Sequence, residues 1–388
     1  MEIQSKLAEH LQAIPRSGIR DFFELVIGRD DVISLGVGEP DFATPWSIRE
    51  AAIYSLEKGQ TSYTSNLGLL TLREKISEYV EDFFHLSYEG KNEVLVTVGV
   101  SEALDLALRA LLNPGDEVIY HEPCYVSYSP SIVMAHGVAV PVATTKEDGF
   151  SLKPAALAAA ITDKTKVVML NFPTNPTGAV ASREDLEGIA KLCIEHDLIV
   201  LSDEIYSELR YDDVEHVSIA TLPGMKERTI LLHGFSKAFA MTGFRLGYAC
   251  APAPLIEAMM KIHQYGILCA PITSQAAALE ALKGGKSLYE PMKTEYRQRR
   301  DFLVEELNGM GIDCHLPGGA FYVFPDIRKF GLSSKEFAMG LLEAEQVAAV
   351  PGDAFGSSGE GFLRCCYATG MEDLKKAMSA MKRYIDTL

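Results

Sequence analysis

A lysine just beyond an apolar run is the residue with the clearest potential for chemistry. Lys237 ends the segment His233–Lys237, which follows a stretch of apolar residues. Open α/β sheets bind ligands beyond the carboxyl ends of their strands, so this lysine could lie in a binding site. Partial burial there would lower the pKa of the ammonium group, and the neutral amine could form a Schiff base. Arg245 follows eight residues later and could bind an anion beside it, although both could also be solvated surface cations.

A carboxylate and a phenol follow a second apolar run. Asp203 comes directly after Ile199–Ser202, and Tyr206 stands three residues later. A buried carboxylate needs a cationic or hydrogen-bonding partner. A pyridinium N–H is such a partner, and a ring that stays protonated becomes an electron sink. Tyr206 could then donate a hydrogen bond to a phenolate oxygen of the same ring. The alternative is that Asp203 only caps the next helix.

Two loops could position further ligand groups. Two prolines stiffen Asn171–Gly178, and Asn175 precedes one of them, so its backbone is extended or in a turn. Such a loop can direct the Asn175 amide at a ligand, or it can be a simple tight turn. Val96–Leu104 contains a strand, a glycine turn and a helix start, and the free N–H groups of a helix N-terminus bind phosphate. No GxGxxG motif or P-loop accompanies this strand, so neither ATP nor NAD is favoured.

An arginine within an apolar segment completes the set. Arg364 lies within Phe362–Thr369, and an uncompensated buried charge is costly, so we expect it to meet a carboxylate. The inventory is therefore an amine nucleophile, a carboxylate for a ring nitrogen, a phosphate site and an arginine for a substrate carboxylate.

The elements that must position these residues follow an α/β pattern. Continuous runs of Val, Ile and Leu are typical of strands covered on both faces, and helical segments lie between them. The predicted strands are Glu93–Val98, Glu117–Tyr120, Val138–Val142, Val167–Asn171, Ile199–Ser202, Thr229–His233 and Leu246–Ala251. The predicted helices include Ser101–Leu112 and Arg183–His196, the second opening with a capping box of Ser182 and Asp185. This alternation predicts one large α/β domain around a mostly parallel sheet.

The pattern changes after about Lys283 and predicts a second, smaller α+β domain. Its predicted elements are the helix Tyr296–Asn308, the strand Ala320–Phe324, the helix Ser334–Glu345, the strand Val347–Val350 and the helix Met371–Ile385. The N-terminal segment has no strand to add to the large sheet, so we place it with the C-terminal part. The prediction is a small domain of residues 1–46 and 286–388 and a large domain of residues 47–285. The alternative is a single domain with a ragged end.

The overall composition excludes several classes of partner. The chain has 388 residues with 36 Lys and Arg against 53 Asp and Glu, and its formal net charge of −17 disfavours nucleic acid and anionic lipid. Seven cysteines without CxxC spacing predict reduced thiols in a cytoplasmic protein rather than disulfides or a zinc site. The apolar runs are too short for a membrane span, the N-terminus is unlike a signal peptide and no HExxH motif occurs. We therefore predict no membrane association and no metal.

Six motifs, taken in order, resemble class I/II aminotransferases, which have the type I fold and use pyridoxal 5′-phosphate. They are Gly36–Phe42, Tyr63–Gly68, Asn171–Gly178, Ser202–Tyr206, Ser236–Gly247 and Arg364–Thr369. Among members, the chain is most similar to bacterial N-acetyl-diaminopimelate aminotransferases and archaeal aromatic aminotransferases. The resemblance implies a large domain with a seven-stranded sheet, a small domain built from both termini, and a homodimer with active sites at the subunit interface. It also implies small-molecule partners, an amino acid and a 2-oxo acid.

The resemblance implies roles for the residues around the cofactor ring. Lys237 would form an aldimine with the cofactor and then move the proton. Asp203 would pair with the pyridine nitrogen, Asn175 and Tyr206 would contact O3′, and Tyr125 would stack on the ring.

Further residues are implied to bind the phosphate and the substrate. The groups for the phosphate are Ser236, Arg245, the backbone amides of Val100, Ser101 and Glu102, and Tyr63, which would reach the phosphate of the neighbouring subunit. Arg364 would bind the substrate α-carboxylate with help from the Gly36 amide and Asn175.

The substrate side chain is suggested by departures from the aspartate-specific members. These carry a lysine where this chain has Ser101, so we do not expect a strict preference for aspartate. Tyr63, Tyr125, Ile19 and Phe321 suggest an aromatic or apolar side-chain site, although the last two could simply be core residues.

The expected activity is transfer of the amino group of an aromatic, neutral or N-acyl-diaminopimelate-like L-amino acid to a 2-oxo acid. The acceptor would be 2-oxoglutarate, and the two half-reactions would follow ping-pong chemistry through Lys237. The alternative within the same cofactor chemistry is a C–S β-lyase of the cystathionine type. A regulatory protein on the same fold is disfavoured, because Lys237 is intact and no DNA-binding segment is attached.

Overall fold

A seven-stranded sheet forms the centre of the larger part of the molecule. The computed structural model describes residues 6–12, 14, 16, 18, 19, 26, 28, 29, 31–211 and 216–388. The strands of this sheet are β2 (Val94–Thr97), β3 (Glu117–Glu122), β4 (Val138–Ala143), β5 (Thr165–Asn171), β6 (Ile199–Asp203), β7 (Thr229–Gly234) and β8 (Gly247–Cys250). Their order is β2-β8-β7-β6-β5-β3-β4, and β8 alone runs antiparallel to the other six strands. The predicted mostly parallel α/β sheet is confirmed.

Helices cover both faces of this sheet and build much of the smaller part. In chain order they are α1 (Glu9–Gln12), α2 (Trp46–Glu57), α3 (Leu70–Phe84), α4 (Gly99–Leu111), α5 (Tyr128–Met134), α6 (Pro154–Ala160), α7 (Arg183–Glu195), α8 (Ala253–Gly266), α9 (Ile272–Gly284), α10 (Lys286–Gly309), α11 (Ser334–Glu345) and α12 (Met371–Ile385). The apolar face of α4, which includes Leu104 and Leu108 one helical turn apart, is buried against the sheet. None of the helices in the described ranges is both long and apolar enough to cross a bilayer.

Side-chain caps start two of the helices. Ser182 accepts a hydrogen bond from the Asp185 amide at the start of α7, as the sequence indicates. The Asp185 carboxylate does not return to the backbone of Ser182, because it binds Ser151 and Lys153 instead. The predicted capping box is therefore only half formed. A complete capping box, which the sequence analysis did not identify, joins Ser333 and Glu336 at the start of α11.

Two small sheets hold the C-terminal part together and join it to the N-terminal segment. Strand β1 (Ile33–Ser34) pairs in parallel with β10 (Val347–Ala348), and β9 (Tyr322–Val323) and β11 (Val350–Pro351) flank β12 (Leu363–Cys366). Predicted strand 320–324 is therefore shorter, and predicted strand 347–350 is divided between β10 and β11. The pairing of β1 with β10 agrees with placing both termini in one unit. The exact domain limits stay a prediction, and part of the segment 1–46 lies outside the described residues.

The carboxyl ends of four strands meet at one edge of the large sheet. Strands β5, β6 and β7 are parallel neighbours, and β2 points the same way because antiparallel β8 lies between it and β7. The residues at these ends are Thr97, Asn171, Asp203 and Gly234. This edge is where an open α/β sheet binds its ligands.

Candidate active site

A cavity of about 730 Å³ opens at this edge, between the large sheet and the C-terminal part. Most residues that the sequence singled out line it: Ile19, Val100, Ser101, Tyr125, Asn175, Asp203, Tyr206, Ser236, Lys237, Arg245 and Arg364. The lining residues that the sequence analysis did not identify are Val37, Gly38, Glu39, Leu104, Val126, Asn171, Ile205, Thr242 and Tyr322.

Three predicted site side chains lie outside this lining. The Glu102 carboxylate turns back to accept a hydrogen bond from the Val98 amide, and it contacts His263 Nδ1 at 2.8 Å. Phe321 is completely buried in the core, and its neighbour Tyr322 faces the cavity instead. Tyr63 is 82% exposed and lies away from the cavity of its own chain.

Lys237 reaches into the cavity from the loop that follows β7. Its Nζ donates a hydrogen bond of 2.7 Å to the carbonyl of Gly38 and lies 5.7 Å from the ring centre of Tyr206. Removal from water disfavours the ammonium form and lowers the pKa of Lys237 to about 8. A neutral amine, the form that attacks carbonyl groups, is therefore accessible near physiological pH.

Asp203 presents a buried carboxylate at the carboxyl end of β6. Its oxygens accept hydrogen bonds from the Tyr128 hydroxyl, at 2.8 Å, and from the Ile205 amide, at 3.3 Å. No cationic side chain of residues 31–211 or 216–388 forms an ion pair with it. Burial raises the pKa of Asp203 to about 6, and the hydrogen bond from Tyr128 opposes that rise. Such a carboxylate lacks a positive partner and suits a pyridinium N–H.

A pair of tyrosines stands between Lys237 and Arg364. The hydroxyls of Tyr206 and Tyr322 are 2.9 Å apart, and the Tyr322 ring lies 4.7 Å from the Arg364 guanidinium. Tyr322 Oη also reaches the Gly38 carbonyl at 3.4 Å, the group that accepts from Lys237. These contacts tie together the residues that face the cavity from three separate segments of the chain.

The N-terminus of α4 and the Arg245 side chain are groups beside the cavity that could hold an anion. The first N–H groups of any α-helix have no partner within the helix, and here they belong to residues beside the cavity, including Val100 and Ser101. Gly99 has φ of +76°, and a Cβ built on it would lie 2.6 Å from Arg245 Nη2. The absence of a side chain at Gly99 thus allows the guanidinium to lie against the helix start, where both favour an anion.

Arg364 lies buried on β12 with its guanidinium at the cavity. It donates to Asn175 Oδ1 at 3.1 Å and to the carbonyl of Gly36. The Gly36 amide donates to Ser34 Oγ at 3.3 Å, so this structure uses the carbonyl rather than the amide toward Arg364. The sequence led us to expect a carboxylate partner, but the described ranges provide none, and Arg364 Nε has no hydrogen-bond partner there. The guanidinium is thus available to a ligand carboxylate.

The residues around the cavity fit pyridoxal 5′-phosphate. The anion site at α4 suits its phosphate, the unpaired Asp203 carboxylate suits its ring nitrogen, and the low-pKa amine of Lys237 suits its aldehyde.

Comparison with known proteins identifies the family. The family model for class I and II aminotransferases matches residues 30–381. The chain belongs to this family. YugH of Bacillus subtilis is 56% identical to this aminotransferase over 381 residues, covering 98% of both chains. Its name describes an aminotransferase and specifies no substrate. The crystal structure of an aromatic aminotransferase from Pyrococcus horikoshii OT3 gives a TM-score of 0.91 at 47% identity, covering 95% of this chain and 99% of that one.

The relatives of this aminotransferase carry several substrate names. An aspartate aminotransferase of Pyrococcus abyssi is 45% identical over 98% of both chains. Aromatic-amino-acid aminotransferase 2 of Thermococcus litoralis and a Bacillus subtilis protein named as a probable N-acetyl-LL-diaminopimelate aminotransferase are each 42% identical over at least 96% of both chains. The predicted family, fold class and cofactor are confirmed, and the protein is a pyridoxal-phosphate-dependent aminotransferase. These names do not agree on one amino donor.

Proposed function

We propose that this aminotransferase takes the amino group of an aromatic or neutral L-amino acid, or of an N-acyl-diaminopimelate-like donor, and passes it to 2-oxoglutarate by ping-pong chemistry. The observation that carries the proposal is the meeting of Lys237, Asp203 and Arg364 in one cavity. The three provide an amine, a carboxylate for a ring nitrogen and a guanidinium for the α-carboxylate that all amino acids and 2-oxo acids share.

Different lining residues would bind different parts of the cofactor. Asp203 would hold the ring nitrogen, Asn175 and Tyr206 would contact O3′, and Tyr125 would cover the ring face. The groups that would hold the phosphate are Ser236, Arg245 and the backbone amides of Val100, Ser101 and Glu102. When bound, the cofactor supplies an electron sink for the reacting carbon of the substrate.

Lys237 moves the proton in this proposal. With a pKa of about 8, about a tenth of the amine is neutral at pH 7. Nζ would leave the Gly38 carbonyl, take the proton from the substrate α-carbon as a general base and return it during the same half-reaction. Arg364 holds the α-carboxylate through both half-reactions, because donor and acceptor carry the same group.

The charge and apolar surface of the cavity support a neutral or aromatic donor. Ile19, Val37 and Tyr322 add apolar surface to the cavity, and the Tyr322 ring lies 4.7 Å from the Arg364 guanidinium. The cationic side chains that line the cavity within the described ranges are Lys237, Arg245 and Arg364. Each of the three has a role toward the cofactor or the α-carboxylate, so these cations give aspartate no advantage over a donor with one carboxylate. The second carboxylate of 2-oxoglutarate or of an N-acyl-diaminopimelate would likewise have to bind without them.

A panel of amino donors with 2-oxoglutarate tests the proposed substrate class. We expect kcat/KM for phenylalanine, alanine or N-acetyl-diaminopimelate to exceed that for aspartate at least tenfold, with the parallel reciprocal plots of a ping-pong reaction. Aspartate as the best donor would contradict the proposed class. Release of ammonia and pyruvate from cystathionine without any 2-oxo acid would favour the β-lyase instead.

Borohydride reduction tests the role of Lys237. Digestion of the reduced protein should give one cofactor-labelled peptide, and it should contain Lys237. In Lys237→Ala this label should disappear, while binding of the phosphate end leaves the cofactor reversibly held. A label elsewhere in the chain would refute the assignment.

We further propose a homodimer in which Tyr63 reaches the active site of the partner subunit. Tyr63 and Tyr265 are 82% and 88% exposed, and the carbonyl of Leu268 nearby accepts a hydrogen bond from Asn66 at 2.8 Å. Large exposed apolar surface of this kind marks interaction sites. Sedimentation should give twice the 42.5 kDa of one chain, and Tyr63→Ala should weaken cofactor binding. A monomer at micromolar concentration would contradict the proposal.

We propose a cytoplasmic location, as its thiols suggest. All seven cysteines are free, and six of them are buried. Thiols kept in this state are typical of proteins in reducing compartments. We also retain the proposed domain limits, with residues 47–285 as the cofactor-binding domain, and limited proteolysis near residue 46 or 285 would test them.

A further inference from the structure

A buried polar network lies behind the residues that face the cavity. We call Tyr79, Ser207, Glu208 and His233 the rear network. His233 Nε2 lies 3.1 Å from Glu208 Oε1 and 3.1 Å from Ser207 Oγ, and the Tyr79 hydroxyl donates to Glu208. Ser207, Glu208 and His233 are each at most 2% exposed. No member of the network lines the cavity.

The rear network connects the two chain segments that carry the reactive groups. Glu208 and Ser207 follow Asp203 and Tyr206 in one continuous segment, so one segment serves both the cavity and the network. His233 lies on β7, four residues before Lys237. The contact between Glu208 and His233 therefore connects the segment that carries Asp203 to the segment that carries Lys237.

Stability alone does not explain a carboxylate and an imidazole at this depth. Burial would raise the pKa of Glu208, but the adjacent His233 and the hydrogen bond from Tyr79 hold it below its usual value, so the buried carboxylate keeps its charge. Removing a charge from water is costly, and apolar side chains of similar size often stabilise a core as well or better. Fixing one relative position of two segments is a role that apolar contacts fulfil less well, because they are not directional.

We propose that the Glu208–His233 pair, bridged by Ser207, is a positioning device that fixes Lys237 relative to Asp203 and Tyr206. This inference rests on the proposed role of Lys237 as the proton-moving group. A sub-ångström shift between the two segments would separate Nζ from the Gly38 carbonyl, now 2.7 Å away, and misalign it with the substrate carbon. Glu208 and His233 thus act through other residues and touch neither substrate nor cofactor.

The double variant Glu208→Gln/His233→Gln tests the proposal. It removes the carboxylate and the imidazole together, so no unpaired charge stays buried, and it keeps groups that can form hydrogen bonds. We expect kcat to fall at least tenfold while KM for donor and acceptor changes less than threefold. In the cofactor-free protein, pH-dependent labelling of the Lys237 amine should show a midpoint more than half a pH unit higher, because a displaced ammonium is better hydrated.

Matched variants separate positioning from general destabilisation. Asp185→Asn disturbs a mostly buried carboxylate bonded to Ser151 and Lys153 away from the cavity, and it should leave kcat within twofold and the labelling midpoint unchanged. Ser207→Ala removes only the bridging hydroxyl and should lower kcat at least threefold, with recovery in Ser207→Thr.

Two results would overturn the positioning role. The first is a double variant that melts at a lower temperature but keeps the parental kcat and labelling midpoint. The second is a Ser207→Ala protein that keeps the parental kcat and the parental labelling midpoint. This second result decides the question if the double variant does not fold. Failure of the proposed function is distinct, because the parent protein itself would then give no cofactor label on Lys237.

Discussion

The hydroxyl of Tyr128 donates a hydrogen bond of 2.8 Å to Asp203, and both groups are buried. Burial raises the pKa of Asp203 to about 6, and this hydrogen bond stabilises the charged form against that rise. A group that loses its negative charge below about pH 6 can no longer complement a pyridinium N–H. If Asp203 holds the ring nitrogen as proposed, Tyr128 helps to set the lower pH limit for binding the cofactor, although 75 residues separate it from Asp203.

We predict that Tyr128→Phe raises the pH at which cofactor affinity declines. The affinity of the parent should fall as pH drops through about 6, where Asp203 gains a proton. A hydrogen bond to a charged group contributes roughly 1.5–3 kcal/mol, so the midpoint should move up by about one to two pH units. Cofactor dissociation constants from pH 5 to 9 would measure this. Tyr120→Phe, another buried tyrosine, should behave like the parent, and equal profiles for all three proteins would contradict the prediction.

Arg364→Ala should weaken the binding of amino acids and 2-oxo acids alike, because both present the same carboxylate. Loss of one partner of a buried charge pair costs about 2–5 kcal/mol, which is about 30-fold to several thousand-fold in kcat/KM. Steady-state kinetics with both substrates would measure the effect, and the affinity for the cofactor should stay within about threefold. An unchanged KM for both substrates would remove this role from Arg364.

At the scale of elements, the proposed phosphate site depends on how α4 meets the loop after β7. Gly99 adopts a left-handed conformation at the helix start, and Arg245 lies against it. Any side chain at residue 99 would face both backbone strain and the guanidinium. The anion site thus depends on two elements approaching each other without an intervening Cβ.

Gly99→Ala should lower the affinity for the cofactor by at least about tenfold. An L-residue in the left-handed region costs roughly 1–2 kcal/mol, and the new Cβ, 2.6 Å from Arg245 Nη2, would also displace the guanidinium. Gly115→Ala is the matched control, because φ there is +91° but no atom lies within 4 Å of the added Cβ. Titration with pyridoxal phosphate would measure both variants. Equal losses of affinity would mean that strain alone, not the contact with Arg245, is responsible.

At the scale of the whole molecule, ion pairs connect the large sheet to the C-terminal part. Lys146, in the loop after β4, binds Asp313 at 2.6 Å and Asp326 at 2.9 Å, and Arg328 also contacts Asp326. Burial alone would raise the pKa of Asp326, but the two cations lower it to about 2. The carboxylate is therefore charged in the folded protein at any pH above that value.

Asp326→Asn should lower the free energy of unfolding by about 2 kcal/mol at pH 7. Because the folded pKa is depressed from 3.8, this contribution is fully present above about pH 4 and disappears as pH falls through about 2. Denaturant unfolding of parent and variant from pH 2 to 7 would measure it. Asp313→Asn is the control, since its carboxylate is 69% exposed and should contribute under about 1 kcal/mol. A difference between parent and Asp326→Asn that does not depend on pH would contradict this account.

The amino-acid sequence determined which elements exist and which residues could react. All seven strands of the large sheet were predicted, most of them from continuous runs of Val, Ile and Leu, because strands buried on both faces need apolar residues throughout. The motifs around Lys237, Asp203, Asn175, Arg245 and Arg364 were equally clear. All five residues line the same cavity, because the carboxyl ends of parallel strands share an edge.

The tertiary structure decided which side chains face the cavity and what each one meets. Phe321 and Tyr322 are both fully buried with ring centres 4.8 Å apart, so the sequence could not tell that Tyr322 rather than Phe321 would line the cavity. Tyr128 with Asp203 and Glu208 with His233 are far apart in sequence, and no local pattern pairs them. The local pattern of apolar residues determines whether a segment is a helix or a strand and which face it buries. Contacts between distant residues depend instead on how whole elements are placed relative to one another, which only the packed molecule determines.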